Sequence, residues 1–414
     1  MKFKTQFYLV FFILILFGCA DQSTTETVSK SDWRGPNRDG IYQETNLLTE
    51  WPEGGPELLW KFSELGLGYS SPAIVGNQMF INGTIDSVSY LFNLDLNGNL
   101  NWKKAYGREF MKSYPGVRSS PIIVGEHVYV LSGIGELFCL SAIDGSKVWK
   151  VDLFSEYGAQ KTQYGISESL IVDGDIIYCT PGGKEHNVIA LNRFTSELVW
   201  SCKGKSEKSA YCNPLLTDIN NEKYFITMTD KSVLSINAET GELAWTHPLE
   251  GIKNGAHVAT PYYRDGYLFL MDGFEIGVVM LKIADDGKSA KLLWKNGLMD
   301  ETNGHSVVIG DNIYGSAESK KKLICLDWHT GEVKFEIRKF APSTVIYADN
   351  HLYAYTYSGQ LGLVQPTKTE FIDKGSFKLE KRSELHIMHP VIHNGILYVR
   401  YVNDLMAYNI QKSN

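Results

Sequence analysis

The sequence is short of the features that mark most enzyme and binding classes. It is poor in basic charge: 40 Lys and Arg stand against 47 Asp and Glu in 414 residues. Nucleic-acid binding needs clustered cations that replace phosphate counterions, so no nucleic-acid partner is expected. Beyond the first twenty residues no apolar run approaches the roughly 20 residues that cross a bilayer as a helix. No two cysteines are adjacent, and their spacing fits no zinc pattern. Gly182-Gly183-Lys184 lacks the spacing and the following Ser/Thr of a phosphate loop. No Gly-x-Ser-x-Gly elbow presents a nucleophilic serine, and Lys320-Lys321-Lys322 reads as a solvated hairpin tip. No segment repeats its apolar residues every 3.6 positions for long enough to bury a helix face. What remains, with 38 glycines and 12% aromatic residues, is a turn-rich, all-β composition.

What is present begins with an address. Lys2 and Lys4 precede an apolar run from Phe7 to Phe17, and small Gly18 follows. A basic start, a short apolar core and a small-residue cleavage site describe an export signal. Leu16-Phe17-Gly18-Cys19 resembles the bacterial lipobox, in which the cysteine is lipidated and becomes the mature N-terminus. The expected layout is a signal peptide over 1–18, lipidation at Cys19, a polar flexible tether over 19–31 and an N-terminal extension over 32–57. Removing Lys2 and Lys4 leaves 38 basic against 47 acidic residues, a net of −9. The expected location is the cell envelope, lipid-anchored at the outer membrane, on a face the sequence leaves open.

From residue 58 to 414 the chain repeats itself about every 45 residues. Phe138–Trp149 and Leu234–Trp245 show the unit: an alternating apolar strand, a polar turn, Gly four residues before Trp, then a second strand. Gly98 before Trp102 and Gly331 before Phe335 keep the interval, and Ser196 replaces Gly before Trp200. A tight hairpin needs a residue at positive φ, which Gly supplies without steric cost. Leu292-Leu293-Trp294 ends a copy with a longer loop around Asp285-Asp286-Gly287. Ser71-Pro72, Ser120-Pro121, Asn213-Pro214, Thr260-Pro261 and His389-Pro390 open five copies, and Ser169, Ser306 and Ser343 open three. Pairs such as Val128-Tyr129 and Leu397-Tyr398 mark the second strand of each copy.

Eight copies of four short strands cannot each bury both faces alone, so they must stack, and radial stacking gives an eight-bladed β-propeller of four-stranded antiparallel blades. Trp60, Trp102, Trp149, Trp200, Trp245 and Trp294 fall where the outer strand would dock on the next blade, with Phe335 and Phe371 in the other two copies. Each buried ring contributes about 2–3 kcal/mol. The last copy stops at Asn414 without a closing Trp strand, while Leu58–Phe62 has no copy of its own upstream. The N-terminal strand should therefore complete the last blade and seal the ring.

These Gly-turn-Trp repeats resemble the pyrroloquinoline-quinone-type (PQQ-like) propeller repeat. With the lipobox, the length and the eight copies, the chain is similar to BamB-like exported lipoproteins, and Asp32–Gly40 resembles the opening of a PQQ-like group of exported bacterial propellers. The resemblance implies either of two functions. One is a non-catalytic scaffold, monomeric outside its complex, whose envelope partner would be the β-barrel assembly machinery. The other is an alcohol or sugar dehydrogenase holding PQQ and Ca²⁺ on the axis. The dehydrogenase pattern also has a Trp beneath the quinone, adjacent cysteines in a disulfide and long inter-blade insertions. Here Trp33 and Trp51 precede the ring, Trp328 lies in a hairpin turn, and neither the cysteines nor the insertions are present. No cofactor and no metal are therefore expected.

Residues just before each first strand should line the axial mouth: Tyr69, Arg118, Tyr164, Tyr211, His257, Asn303, His305, His386 and His389. Such a ring could hydrogen-bond and stack on an anionic or sugar-like ligand, which gives a third reading, a ligand-binding protein serving polysaccharide uptake or degradation. Cys202 and Cys212 are close enough to pair, which spacing alone does not decide. Cys139 and Cys325 hold equivalent strand positions and read as small buried apolar residues.

Overall fold

In a computed structural model of the chain, the described residues are 30–31, 33–249, 257–271, 277–300, 303, 305–379 and 385–413. The signal peptide, Cys19 and the tether as far as residue 29 lie outside them. The strands form eight antiparallel sheets, taken here as blades 1 to 8. They span residues 73–108, 122–152, 171–202, 215–248, 262–296, 307–337, 343–378, and 391–409 joined by 57–62. Apolar residues run along the inner three strands of each blade, successive side chains facing opposite neighbours, and meet in seven core clusters, which is the stacking that the repeat demands. The ring closes as the chain ends require: Glu57–Phe62 pairs antiparallel with Asp404–Asn409, with Trp60 opposite Ala407.

The repeated tryptophans dock forward. The indole N–H groups of Trp60, Trp149, Trp200 and Trp294 donate to carbonyls in the outer hairpin of the following blade: Leu96, Arg193, Ala238 and Trp328, at 2.9–3.2 Å. That hairpin's glycine has a second duty besides its positive φ. A Cβ on Gly241 would lie 2.8 Å from the Trp200 ring, and one on Gly331 would lie 2.4 Å from Trp294. The Gly and the Trp it serves thus belong to different blades. Trp245 is buried but its indole nitrogen has no partner among the described residues; the hairpin it faces is the longer one around Gly287, which packs on Tyr224 instead.

Two expectations change. Phe371 does not hold the docking place. It pairs with Pro366 at the very start of its strand, whereas the register shift that accompanies the docking residue in the other blades lies between Gly362 and Val364, opposite Asp373–Ser376. It packs backward on Phe335, 4.8 Å away, and on Tyr314. The last two residues of the expected tether are not loose: Lys30–Ser31 pairs with Ile122–Val124 as a fifth strand of blade 2. The extension is part of the ring, since Ile41–Tyr42 runs parallel to Ser343–Ala348 of blade 7, and Leu47 and Trp51 are buried in its core.

Candidate functional site

Several of the residues that open the copies form a belt around the mouth, because they reach a neighbouring blade. The Ser71 hydroxyl donates to the His389 carbonyl at 2.8 Å, and the Ser71 N–H donates to Ser120 Oγ at 2.9 Å. The Ser120 N–H reaches Ser169 Oγ and the Ser169 N–H reaches Asn213 Oδ1. Thr344 Oγ1 bonds His389 Nδ1 at 2.9 Å. A small hydroxyl or amide before the first strand therefore satisfies backbone groups that would otherwise be orphaned where eight chains converge.

Inside the belt lies a cavity of about 780 Å³, within the size range of small-ligand sites. Seven of the nine expected mouth residues line it: Tyr69, Arg118, Tyr164, Tyr211, Asn303, His305 and His389. Two do not. His257 is fully buried and links blades 4 and 5 through its carbonyl, which accepts from the Tyr211 N–H at 2.9 Å. His386 is fully buried, stacked flat on Tyr401 at 3.7 Å and bonded through Nδ1 to the Tyr355 hydroxyl. Position in an irregular loop told which end of the ring these residues occupy, but not which way the ring points.

The structure adds residues that sequence position did not select: Trp33, Tyr114, Asp300, Glu318 and Tyr357. Tyr69, Tyr114, Tyr164 and Tyr211 form an arc of ring contacts with centroids 6.4, 6.1 and 5.6 Å apart. Arg118 sits behind the arc, its Nη2 donating to the Ser113 and Tyr114 carbonyls. Asp300, Asn303, Glu318 and Tyr357 belong to the loops around blades 6 and 7, where the Tyr357 hydroxyl accepts from the Asn303 N–H at 3.0 Å.

Trp33 makes the floor. It stands in T-shaped contact with His305 at 5.1 Å and His389 at 4.9 Å, and those two imidazoles meet at 4.4 Å. Burial and nearby Arg34 hold both histidines well below the usual pKa, with His389 adding to the effect on His305, so both are neutral near pH 7. Behind the floor the segment 34–42 coils tightly, with Arg34 and Arg38 both at positive φ. Arg34 donates to the Ser306 carbonyl of the blade 6 loop at 2.8 Å, and Arg38 to the Ser169 and Leu170 carbonyls before blade 3. One short segment thus spans the axis and stops it, and the mouth is a blind pocket.

Glu168, between Ser167 and Ser169 of the lining, points away from the cavity and is fully buried. It accepts from the Thr180 N–H at 2.8 Å and the Thr180 hydroxyl at 3.2 Å. Burial outweighs these bonds and pushes its pKa from the ordinary 4.5 up to about 7. A carboxyl raised on folding holds its proton better in the native state, so native stability falls as pH rises from 4.5 to about 7 and is level above that. The expected loss is on the order of 3 kcal/mol. Glu168→Gln should abolish this component: urea unfolding of the variant at pH 5 and pH 8 should differ by less than that of the wild type, and an identical pH slope would refute it.

All five described cysteines are free and buried. Cys202 lies among blade 3 and 4 residues and Cys212 among those of blades 4 and 5, so proximity in sequence does not bring them together. Burial pushes the Cys139 and Cys325 thiols up to about 12, as unreactive core residues.

A sequence profile of the family described as outer membrane protein assembly factor BamB matches residues 41–156 and 87–337. The chain is also 24% identical over 183 residues to the quinoprotein alcohol dehydrogenase PedH of Pseudomonas putida, a match covering 42% of this chain and 30% of PedH. The chain therefore spans less than a third of that relative's length. Among solved structures, BamB from Moraxella catarrhalis superposes with a TM-score of 0.60 at 12% identity, covering 86% of this chain and 99% of that one. The quinohemoprotein alcohol dehydrogenase from Comamonas testosteroni gives 0.62 at 12% identity, covering 91% and 79%. Both share the fold, and the fold hosts a scaffold and an enzyme alike.

Proposed function

The chain belongs to the PQQ-like β-propeller family described as outer membrane protein assembly factor BamB, and from that premise we propose that it is a non-catalytic binding and scaffolding propeller of the bacterial envelope, held at the membrane by a lipid on Cys19. The observation that carries the reading is the stopped axis. A quinone cofactor of the PQQ type brings three carboxylates, and among the described residues the pocket offers one cationic side chain, Arg118, whose Nη2 is already engaged with two carbonyls. Asp300 and Glu318 add carboxylates of their own. Ca²⁺ takes six to eight oxygens, whereas among the described residues no group of three or more His, Cys, Asp or Glu could hold a metal ion. The charge of the described lining therefore supports the reading without the cofactor.

The outside of the ring suits a protein partner. Leu58-Leu59, Leu198-Val199 and Leu292-Leu293, each just before a docking Trp, leave 43–50% of their surface exposed on outermost strands. Edge strands with unpaired backbone and apolar side chains are natural sites for strand addition. The partner expected is an envelope protein of the β-barrel assembly machinery. Purified protein supplied with PQQ and Ca²⁺ should reduce no dye with alcohols or sugars, and pull-down from detergent-solubilised membranes should recover such a partner. Dye reduction above the cofactor-free background would overturn the reading.

A further inference from the structure

We infer that the axial pocket is a carbohydrate site that takes the end of a neutral oligosaccharide. The inference deepens the binding role proposed above and rests on it. Shape comes first. The cavity opens at one end and Trp33 closes the other, so a ligand enters end-on and no polymer threads through. Its about 780 Å³ leaves room for a short oligosaccharide.

The walls then select the chemistry. The tyrosine arc presents amphipathic rings, apolar on their faces and polar at the hydroxyl tip, which match a sugar's C–H face and its hydroxyl edge. Across from the arc stand Asp300 and Glu318, acceptors for hydroxyl donors, while Arg118 Nη1, without a hydrogen-bond partner among the described residues, supplies a donor on the arc's own side. An anionic ligand would face two carboxylates, and a cationic one would face Arg118. A purely apolar ligand fails at the floor. His305 is 3% exposed, lines the cavity, and neither of its ring nitrogens has a hydrogen-bond partner among the described residues. A neutral imidazole carries one donor and one acceptor nitrogen. Leaving such a buried pair unsatisfied is costly. A hydroxyl both donates and accepts, and a polyol brings several without net charge. Neutral sugars are the ligand class that uses every group in the pocket.

The test is calorimetric titration of the detergent-solubilised full-length protein with neutral gluco- and manno-oligosaccharides. Matched uronic-acid and amino-sugar oligomers form the second and third arms. At least one neutral series should bind at least tenfold tighter than both charged series. His305→Ala and Tyr164→Leu should each weaken it at least tenfold, and Tyr164, being partly exposed, can be changed without emptying a core position. Binding should also change the intrinsic fluorescence, and Trp33→Phe should remove that change. No binding of any neutral series, tighter binding of a charged series, or indifference to both pocket variants would overturn the inference. Absence of glycan binding would leave the scaffold reading standing, whereas quinone-dependent dye reduction would sink that reading without touching the titration.

Discussion

Arg400→Ala is expected to cost about 4 kcal/mol of unfolding free energy, the upper end of what a single buried change does. Arg400 is 1% exposed on blade 8 and holds the seam where the ring closes on blade 1. Its Nη1 donates to Ser70 Oγ at 2.6 Å, the Asn82 carbonyl at 2.7 Å and the Ser70 carbonyl at 3.3 Å; Nε reaches the Val402 carbonyl at 2.9 Å. Burial lowers its pKa to about 9, so it stays charged at neutral pH, with the phenols of Tyr69 and Tyr106 the groups that favour the charge. Alanine would leave buried carbonyls without donors and open a cavity; each effect costs a few kcal/mol, less whatever relaxation or entering water recovers. Arg400→Met, which keeps most of the volume, should lose about half as much. The nearby Lys61–Asp404 pair, 2.9 Å apart with the lysine side chain 35% exposed, is the contrast. Breaking it at Lys61 should cost less, about 2 kcal/mol, because the lysine is partly solvated while Asp404, its side chain 5% exposed, would lose a charged partner. Equilibrium urea unfolding decides, and an Arg400→Ala value within 1 kcal/mol of wild type would show that the seam is held elsewhere.

The ring was legible because its information is periodic. A fixed interval from Gly to Trp, a Ser, Asn, Thr or His before each inner strand, and an unmatched strand at each terminus specify blade, count and closure without any long-range knowledge. Phe371 was misplaced because it lies at the hairpin end of its strand, while the bulge that marks the docking place in the other blades falls between Asp373 and Ser376 here. His257 and His386 were misassigned because side-chain direction in an irregular loop has no period. Trp33 escaped for a different reason. Asp32–Gly40 has no strand alternation, and its two arginines find carbonyls 131, 132 and 272 residues away. Nothing local announces such partners. The signal available was compositional: two arginines and a tryptophan among glycines, in a stretch otherwise suited to a solvated loop. Bulky groups that have no apolar stripe to join must find their partners at long range, and the axis of a ring is where carbonyls from many blades converge.

Trp33→Ala carries the other large effect, about 3–5 kcal/mol for truncating a buried indole, and its pH dependence tests the cause. Trp33 is 4% exposed, in edge contact with His305 and His389, and Arg34 lies 5.8 Å from its ring centre. In the native protein both histidines are held neutral, with pKa values well below 6.5. The unfolded chain binds their protons below pH 6.5 and the native state does not, so wild-type stability falls as pH drops from 6.5 toward the native values. Removing the indole lets water reach both rings and returns their pKa values toward the ordinary range. The variant then lacks that acid penalty. Its deficit relative to wild type should be largest at pH 7 to 8 and shrink toward pH 5. Trp33→Phe, which keeps an aromatic floor, should retain the acid penalty and lose less at every pH. Unfolding curves for the three proteins across this range would show it; a deficit that stays constant with pH would mean that the indole only fills space, and that His305 and His389 are kept neutral by the belt and Arg34 alone.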